Sequence, residues 1–341
     1  MNASAANSPL DELRAKLAEV RSQALKLEEE IARLEKRGQL ELPSAPAVQT
    51  TPQSPAEKVA LFLDLFGTRR SVFPKRWENA KTGKSGYAPV CDNEWRPGIC
   101  RKPQIKCTEC LHQKFPPLDD HAVEAHLRGI HTLGVYSITD DNACRFLAAD
   151  FDGEGWKDNI SAYREAGSNA GVPIALERSR SGRGGHAWIF FSEPVPASLA
   201  RKLGVIFLAK ASALKPTMGL DAFDRFFPNQ DVVSVGGFGN LIALPLAKHP
   251  RQDGNTLFLD EEFRPIPDQW EYLAGLPRLS GPQLKDLVGK MAPLAPLVEQ
   301  SSIESADLVL QSERDPAGTM FALKSEAVLP RCLARQRALG P

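Results

Sequence analysis

The stretch Phe146-Leu-Ala-Ala-Asp-Phe-Asp-Gly-Glu-Gly155 constrains this chain most, because an apolar strand runs directly into two carboxylates spaced i, i+2. Strand side chains alternate between faces, so Asp150 and Asp152 point the same way while Phe151 turns to the opposite face, where it can pack in a core. Paired carboxylates repel unless a cation sits between them, which makes the strand end a candidate divalent-ion site. Asp-x-Asp-Gly alone more often means only a strand ending in a turn. Its meaning here depends on what the rest of the chain supplies.

The chain has 341 residues, of which 42% are hydrophobic, enough for two or so folded units with a sizeable core. Met1 to Pro9 has no basic segment followed by an apolar run, and no later apolar stretch approaches a membrane span, so a cytoplasmic protein is expected. Formal charge is zero overall, yet Thr68 to Lys114 carries 11 Lys and Arg against 4 Asp and Glu. Such local basicity suits either a polyanion-binding surface or a solvated loop paired with acids elsewhere.

Leu10, Leu13, Leu17, Val20, Ala24, Leu27, Ile31 and Leu34 recur in alternating steps of three and four, an a/d heptad seam that predicts a coiled-coil helix over 1–41. An isolated helix with that stripe would expose it, so self-association or a partner helix is expected. The Pro-rich segment 42–55 reads as a flexible linker. A folded domain over 56–280 and a C-terminal tail over 281–341 complete the expected organisation.

Within the domain, Cys91, Cys100, Cys107 and Cys110 form a C-x8-C-x6-C-x2-C cluster, and the close pair with two more distant thiols is the pattern of a tetrahedral structural Zn2+ site, placing a zinc module near 88–115. Without a secretory signal, disulfides are disfavoured. His112 is a spare ligand, and redox chemistry by the lone C-x-x-C lacks a thioredoxin-like context. Cys144 and Cys332 read as plain thiols.

Periodicity then predicts helices near 57–66, 121–128, 157–170 and 197–214, and strands near 133–138, 145–151, 174–177 and 186–191, an α+β order with a mixed sheet. The strands at 133–138 and 145–151 are expected to form a hairpin. His121, His126 and His131 do not share a helix face and read as ordinary polar residues. The turn in Glu177-Arg-Ser-Arg-Ser-Gly-Arg-Gly-Gly-His186 is glycine-rich, so its backbone N–H groups can approach phosphate oxygens, with Arg178, Arg180 and Arg183 adding charge. It matches neither a Walker A loop nor a dinucleotide fingerprint; standing alone, it would be a flexible hairpin with a solvated His186. Leu220 to Asp231 then offers three further acids, and two-metal phosphoryl transfer would recruit one of them.

The order Asp-x-Asp, Ser181-Gly-Arg-Gly-Gly-His186, then a later acid resembles the archaeo-eukaryotic primase superfamily. Lys81-Thr-Gly-Lys-Ser-Gly-Tyr87, the four-cysteine cluster, Glu177 to Phe191, and Phe223-Asp-Arg-Phe-Phe-Pro-Asn-Gln-Asp231 with Gly-Phe-Gly-Asn-Leu-Ile-Ala-Leu-Pro resemble the primase-polymerase domain of TOTE conflict systems. The resemblance covers roughly residues 56 to 280. It implies an RRM-like catalytic core in which Asp150, Asp152 and a later acid hold two Mg2+ or Mn2+ ions. Asp224 is the acid expected, with Asp221 and Asp231 as rivals. Ser181 and His186 match the second motif, and Arg183 adds charge for the nucleotide phosphates. Ala243 stands where many relatives carry Arg, so that basic contact is either missing or supplied by Lys248 or His249. The implied reaction joins nucleoside triphosphates to a primer or first nucleotide on a DNA or RNA template. Relatives usually continue into a helicase, and Glu326 to Arg335 reads as the start of such a continuation or as a frayed end. A zinc-containing nucleic-acid adaptor without catalysis and a two-metal nuclease are the competing classes.

Overall fold

The computed structural model describes residues 51–215 and 220–291, together with Lys16 and Gln23. The heptad helix over 1–41 and the tail beyond 291 lie outside the described residues, as does the linker up to residue 50. The chain divides into two units, 1–50 and 51–341, and the second holds the central sheet with its helices.

That unit opens with helix α1 (Pro55–Phe66), which starts where local chemistry dictates. Ser54 Oγ accepts from Glu57 N at 3.2 Å and the Glu57 carboxylate accepts from Ser54 N at 2.9 Å, a reciprocal cap with Pro55 at the first helical position. A two-stranded hairpin comes next, β1 (Pro74–Glu78) and β2 (Ser85–Pro89), then the irregular cysteine-bearing segment and helix α2 (Asp120–Arg128). Strand β3 (Gly134–Tyr136) precedes the long β4 (Ala143–Asp152), helix α3 (Trp156–Ser168), β5 (Ala175–Arg178), β6 (Gly184–Pro196) and helix α4 (Ala197–Leu214). The remainder comprises β7 (Phe223–Phe227), β8 (Leu241–Ala243), α5 (Lys248–Gln252), β9 (Phe258–Leu259), α6 (Gln269–Ala274) and α7 (Gly281–Met291).

The central sheet runs β7-β4-β6-β5-β9, and every pairing in it is antiparallel. The segment from β4 to β7 is β-α-β-β-α-β with its first strand between the fourth and third, the split βαβ connectivity of ferredoxin-like and RRM-like sheets. The expected RRM-like core is therefore present as a topology, within a mixed α/β domain.

Alternation along the strands separates two cores. Leu147, Ala149, Phe151, Leu176, Ala187 and Ile189 face one side, where α3, α4 and α7 cover them. Phe146, Ala148, Ala175, Trp188, Phe190, Phe227 and Phe258 face the other, under α1, α2 and the β3–β8 pair. Phe151 lies in the first core, its ring 5.6 Å from both Tyr163 and Phe223.

Three sequence expectations change. β3 does not pair with β4; both edges of β4 are occupied by β6 and β7, and β3 pairs instead with β8. Helix α7, expected in the tail, buries Leu284, Val288 and Met291 in the first core and extends the folded unit past residue 280. His126 is not an ordinary polar residue: it is fully buried, its Nδ1 accepting from Leu133 N at 3.1 Å and its Nε2 lying 2.8 Å from Pro245 O. A neutral ring with the proton on Nε2 satisfies both bonds, and burial holds its pKa down at about 4.

Candidate active site

The two acids of β4 lie on the sheet face that continues the second core. On that face Asp150 sits opposite His186 of β6 and Arg225 of β7, and Asp152 sits opposite Gly184. Gly184 permits this approach: a Cβ there would meet Phe151 O at 2.4 Å and Asp152 Oδ1 at 2.9 Å. Side-chain bulk, rather than phosphate access, explains why glycine stands here.

β7 brings in the third acid through a bulge. Asp150 pairs with Arg225 and Phe151 with Phe223, so Asp224 is an extra residue with no partner on β4. Such bulges re-aim a side chain at a strand edge. The Asp150 pKa is raised, first by burial and then by the charges of Asp224 and Asp152, against the opposing pull of His186 and Arg225. Asp224 is turned onto Arg225, bonded to its Nε at 2.8 Å. The rivals fare differently. Asp231 is ion-paired to Arg201 and lines a cavity of about 440 Å3 with Asn142 and Ala143, at the opposite end of β4. Asp221 is exposed at the turn before β7.

His186 is 7% exposed and is held from behind. Its Nδ1 is 2.7 Å from Oε2 of Glu177, which also accepts from Trp188 Nε1 at 3.0 Å, while Nε2 lies 3.6 Å from Asp150 Oδ1. Glu177 is only 1% exposed, so its charge is balanced by these contacts rather than by water. Burial lowers the His186 pKa, but Glu177, Asp150 and Asp152 together outweigh it and raise the pKa to about 9. A solvated His186 is thus ruled out by its surroundings. The Tyr87 hydroxyl of β2 is buried without a hydrogen-bond partner among the described residues. Burial raises the Tyr87 pKa, and Arg180, Arg76 and Glu177 lie near enough to influence it.

The glycine-rich turn differs from its sequence reading. Gly182 N bonds Ser179 O at 3.0 Å, Arg183 N bonds Ser181 Oγ at 3.3 Å, and Gly184 N bonds Ser179 Oγ at 3.2 Å. Those three amides are already used inside the turn and are not open donors for a phosphate. Ser181 and Arg183 are exposed at its tip. Lys248 is elsewhere, its stem within van der Waals reach of Gly129 after α2.

The four cysteines line one cavity with His112 and Phe115. Backbone N–H groups of His112 and Lys114 point at the Cys110 and Cys91 sulfurs, each at 3.4 Å. Amide donors to sulfur suit thiolate ligands, and four cysteines around one cavity are the donor set that zinc takes. At the other site the donors are all carboxylate oxygen, which fits hard divalent ions. Among the described residues, no three His, Cys, Asp or Glu side chains are assembled as they stand into a group that could hold a metal ion.

Residues 57–287 match the family described as TOTE conflict system, Archaeo-Eukaryotic Primase domain. The chain belongs to this family. Two solved structures show partial similarity to this primase-family chain. The polymerase domain of Ligase D from Mycobacterium tuberculosis, in complex with DNA, is 17% identical with a TM-score of 0.34, over 70% of this chain and 89% of that one. The AEP domain of the cyanophage S-2L primase-polymerase is 13% identical with a TM-score of 0.24, over 57% and 94%. No curated protein matches. In this TOTE-type primase domain, the sequence-predicted Asp150, Asp152, Asp224 and His186 lie on neighbouring strands at one sheet end, whereas Lys248 lies beside Gly129 after α2. Glu177, Trp188, Tyr87 and Arg225 were missed. The Glu177–His186 pairing was accessible from the hairpin register, since both residues flank the same turn.

Proposed function

We propose that this chain is a template-directed nucleotidyltransferase, joining nucleoside triphosphates to a primer or first nucleotide on DNA or RNA. The observation that supports the reading is the strand register, which carries Asp150 and Asp152 of β4 and Asp224 of the β7 bulge to one end of the sheet, near enough for the other two acids to raise the Asp150 pKa, beside the buried His186. Asp150, Asp152 and Asp224 are assigned to hold two Mg2+ or Mn2+ ions, which when bound neutralise triphosphate charge and draw the attacking oxygen toward the α-phosphate. The 3′-hydroxyl gives up its proton to water as its oxygen forms the new P–O bond to the α-phosphate, and pyrophosphate leaves with the electrons of the broken P–O bond. His186 presents Nε2 to a phosphate oxygen of the incoming nucleotide, its ring fixed by Glu177, and Ser181 and Arg183 receive the outer phosphates.

Cys91, Cys100, Cys107 and Cys110 are assigned one structural Zn2+. The seam from Leu10 to Leu34 is assigned to self-association or to pairing with a partner helix. Among the described residues no helix is long and apolar enough to cross a membrane.

Incubation with labelled nucleotides, primer-template and Mg2+ or Mn2+ tests the reading. Extension is the expected result. Degradation of the primer would instead establish a nuclease, and binding without either reaction an adaptor.

A further inference from the structure

The β1–β2 hairpin is a sheet separate from the central one and is hydrogen-bonded to its surroundings at its base. Arg76 N bonds Thr132 O at 2.8 Å, Val90 N bonds Phe73 O at 3.0 Å, and Lys75 bridges to Leu133. Its two faces differ. Arg76 and Tyr87 are cross-strand partners on one face, and Tyr87 lies near Arg180 and Glu177 at the candidate active site. Trp77 and Gly86 are partners on the other face.

Trp77 is 43% exposed, which is unusual for so costly a side chain unless something covers it. Its indole lies across Gly86, where a Cβ would come within 3.1 Å of the ring. Glycine at this position lets the ring lie against the strand and leaves the rest of its surface to solvent. Nearby, the turn is ordered by Asn79, whose Oδ1 accepts from Lys81 N at 3.0 Å and Thr82 N at 3.2 Å and whose N bonds Lys84 O at 2.8 Å. Lys81 and Lys84 are therefore carried on a fixed loop. Neither ammonium has an ion-pair partner among the described residues, whereas Arg76, Lys102 and Lys114 are paired to Glu78, Glu94 and Asp92. An exposed aromatic ring beside two unpaired cations is the combination that binds single strands, through base stacking and backbone phosphate contacts.

We propose that the β1–β2 hairpin binds an unpaired nucleic-acid strand, one base stacking on Trp77 and Lys81 and Lys84 contacting the backbone phosphates. This places the template of the reaction proposed above, and so rests on that reading. The hairpin then links the two functions: Tyr87 on its inner face lies near Arg180 and Glu177, and Trp77 on its outer face receives the strand.

The test is equilibrium binding of the full chain to a fluorescein-labelled oligothymidylate in the absence of nucleotides, across a salt series. Trp77→Ala is expected to weaken binding about tenfold, the size of one lost base stack, while Trp77→Phe retains most of it. Lys81→Ala with Lys84→Ala is expected to lower the salt slope by about 1.4, from two single-strand phosphate contacts. Unaltered melting temperatures confirm that the variants fold. Wild-type affinity and salt slope in all variants would overturn the proposal, and so would an equal loss on blunt duplex, which offers no unpaired base. Nucleotide incorporation is assayed separately. Trp77-dependent binding by a chain that incorporates nothing would support the strand site and refute the polymerase reading. Normal incorporation by variants that bind like wild type would do the reverse.

Discussion

Glu177 and His186 face each other across the β5–β6 hairpin, both buried, with the imidazole Nδ1 2.7 Å from the carboxylate. The same carboxylate oxygen accepts from Trp188, so a single acidic side chain satisfies two buried donors. Removing it strands both. Glu177→Ala is expected to destabilise the fold by about 3–5 kcal/mol, the range for breaking a buried pair from one side. Glu177→Gln keeps an acceptor and should lose less. Denaturant midpoints measure the difference, and an alanine variant as stable as wild type would remove the structural role assigned to this pair.

His186→Ala tests the same pair from its catalytic side. It should raise KM for the nucleotide and lower incorporation efficiency, by a few kcal/mol of transition-state stabilisation at most, while template affinity holds. Because His186 is buried against Glu177, the variant should also melt at a lower temperature, which would not be expected of a solvated strand-end residue. Wild-type kinetics would return His186 to a structural role.

The bulge at Asp224 separates it from its rivals. Asp224→Asn should reduce incorporation by orders of magnitude, whereas Asp231→Asn should leave it near wild type, because Asp231 is bound to Arg201 at the far end of β4. Single-turnover rates for the two variants decide it. A silent Asp224→Asn beside an inactive Asp231→Asn would invert the assignment.

His126 gives a pH dependence with a definite sign. Its folded pKa, about 4, lies below the unfolded value near 6.5. The unfolded chain therefore binds the extra proton first, and stability is lost as pH falls from about 6.5 toward 4, by an amount of the order of 3 kcal/mol. Comparing stability at intervals from pH 7 to 4 in wild type and His126→Gln isolates this share. The variant should be less stable at neutral pH and show a shallower slope; an identical slope would contradict the role given to His126.

Much of this was legible in the sequence, and the rest was not for identifiable reasons. The i, i+2 spacing placed Asp150 and Asp152 on one face and Phe151 in the opposite core, because strand alternation is local. The amphipathic helices were legible for the same reason. Strand partners were not: β3 pairs with β8 some hundred residues later, and only competition for the two edges of β4 decides that. The fate of the turn amides between Ser179 and Gly184 was equally hidden, since Gly-rich composition cannot say whether a donor is already used. His126 looked polar because its two backbone partners, Leu133 and Pro245, are brought to it only by the tertiary fold.

The four-cysteine cavity carries its own expectation about metal content. Protein purified without chelator should hold about one zinc per chain by elemental analysis, and strong chelation should lower its melting temperature. Zinc-free protein with an unchanged melting curve would contradict the assignment of Cys91, Cys100, Cys107 and Cys110 as ligands.

The central claim is that the carboxylates ending β4 carry out nucleotidyl transfer. Its most direct test is incorporation of labelled nucleotide on a primed template by the wild-type chain and by Asp150→Ala with Asp152→Ala, with circular dichroism and template binding measured on the same preparations. Metal-dependent extension by the wild type and none by the double variant, with fold and template affinity retained, is the predicted result. Full activity in the double variant, or no incorporation by the wild type with either Mg2+ or Mn2+, would contradict it.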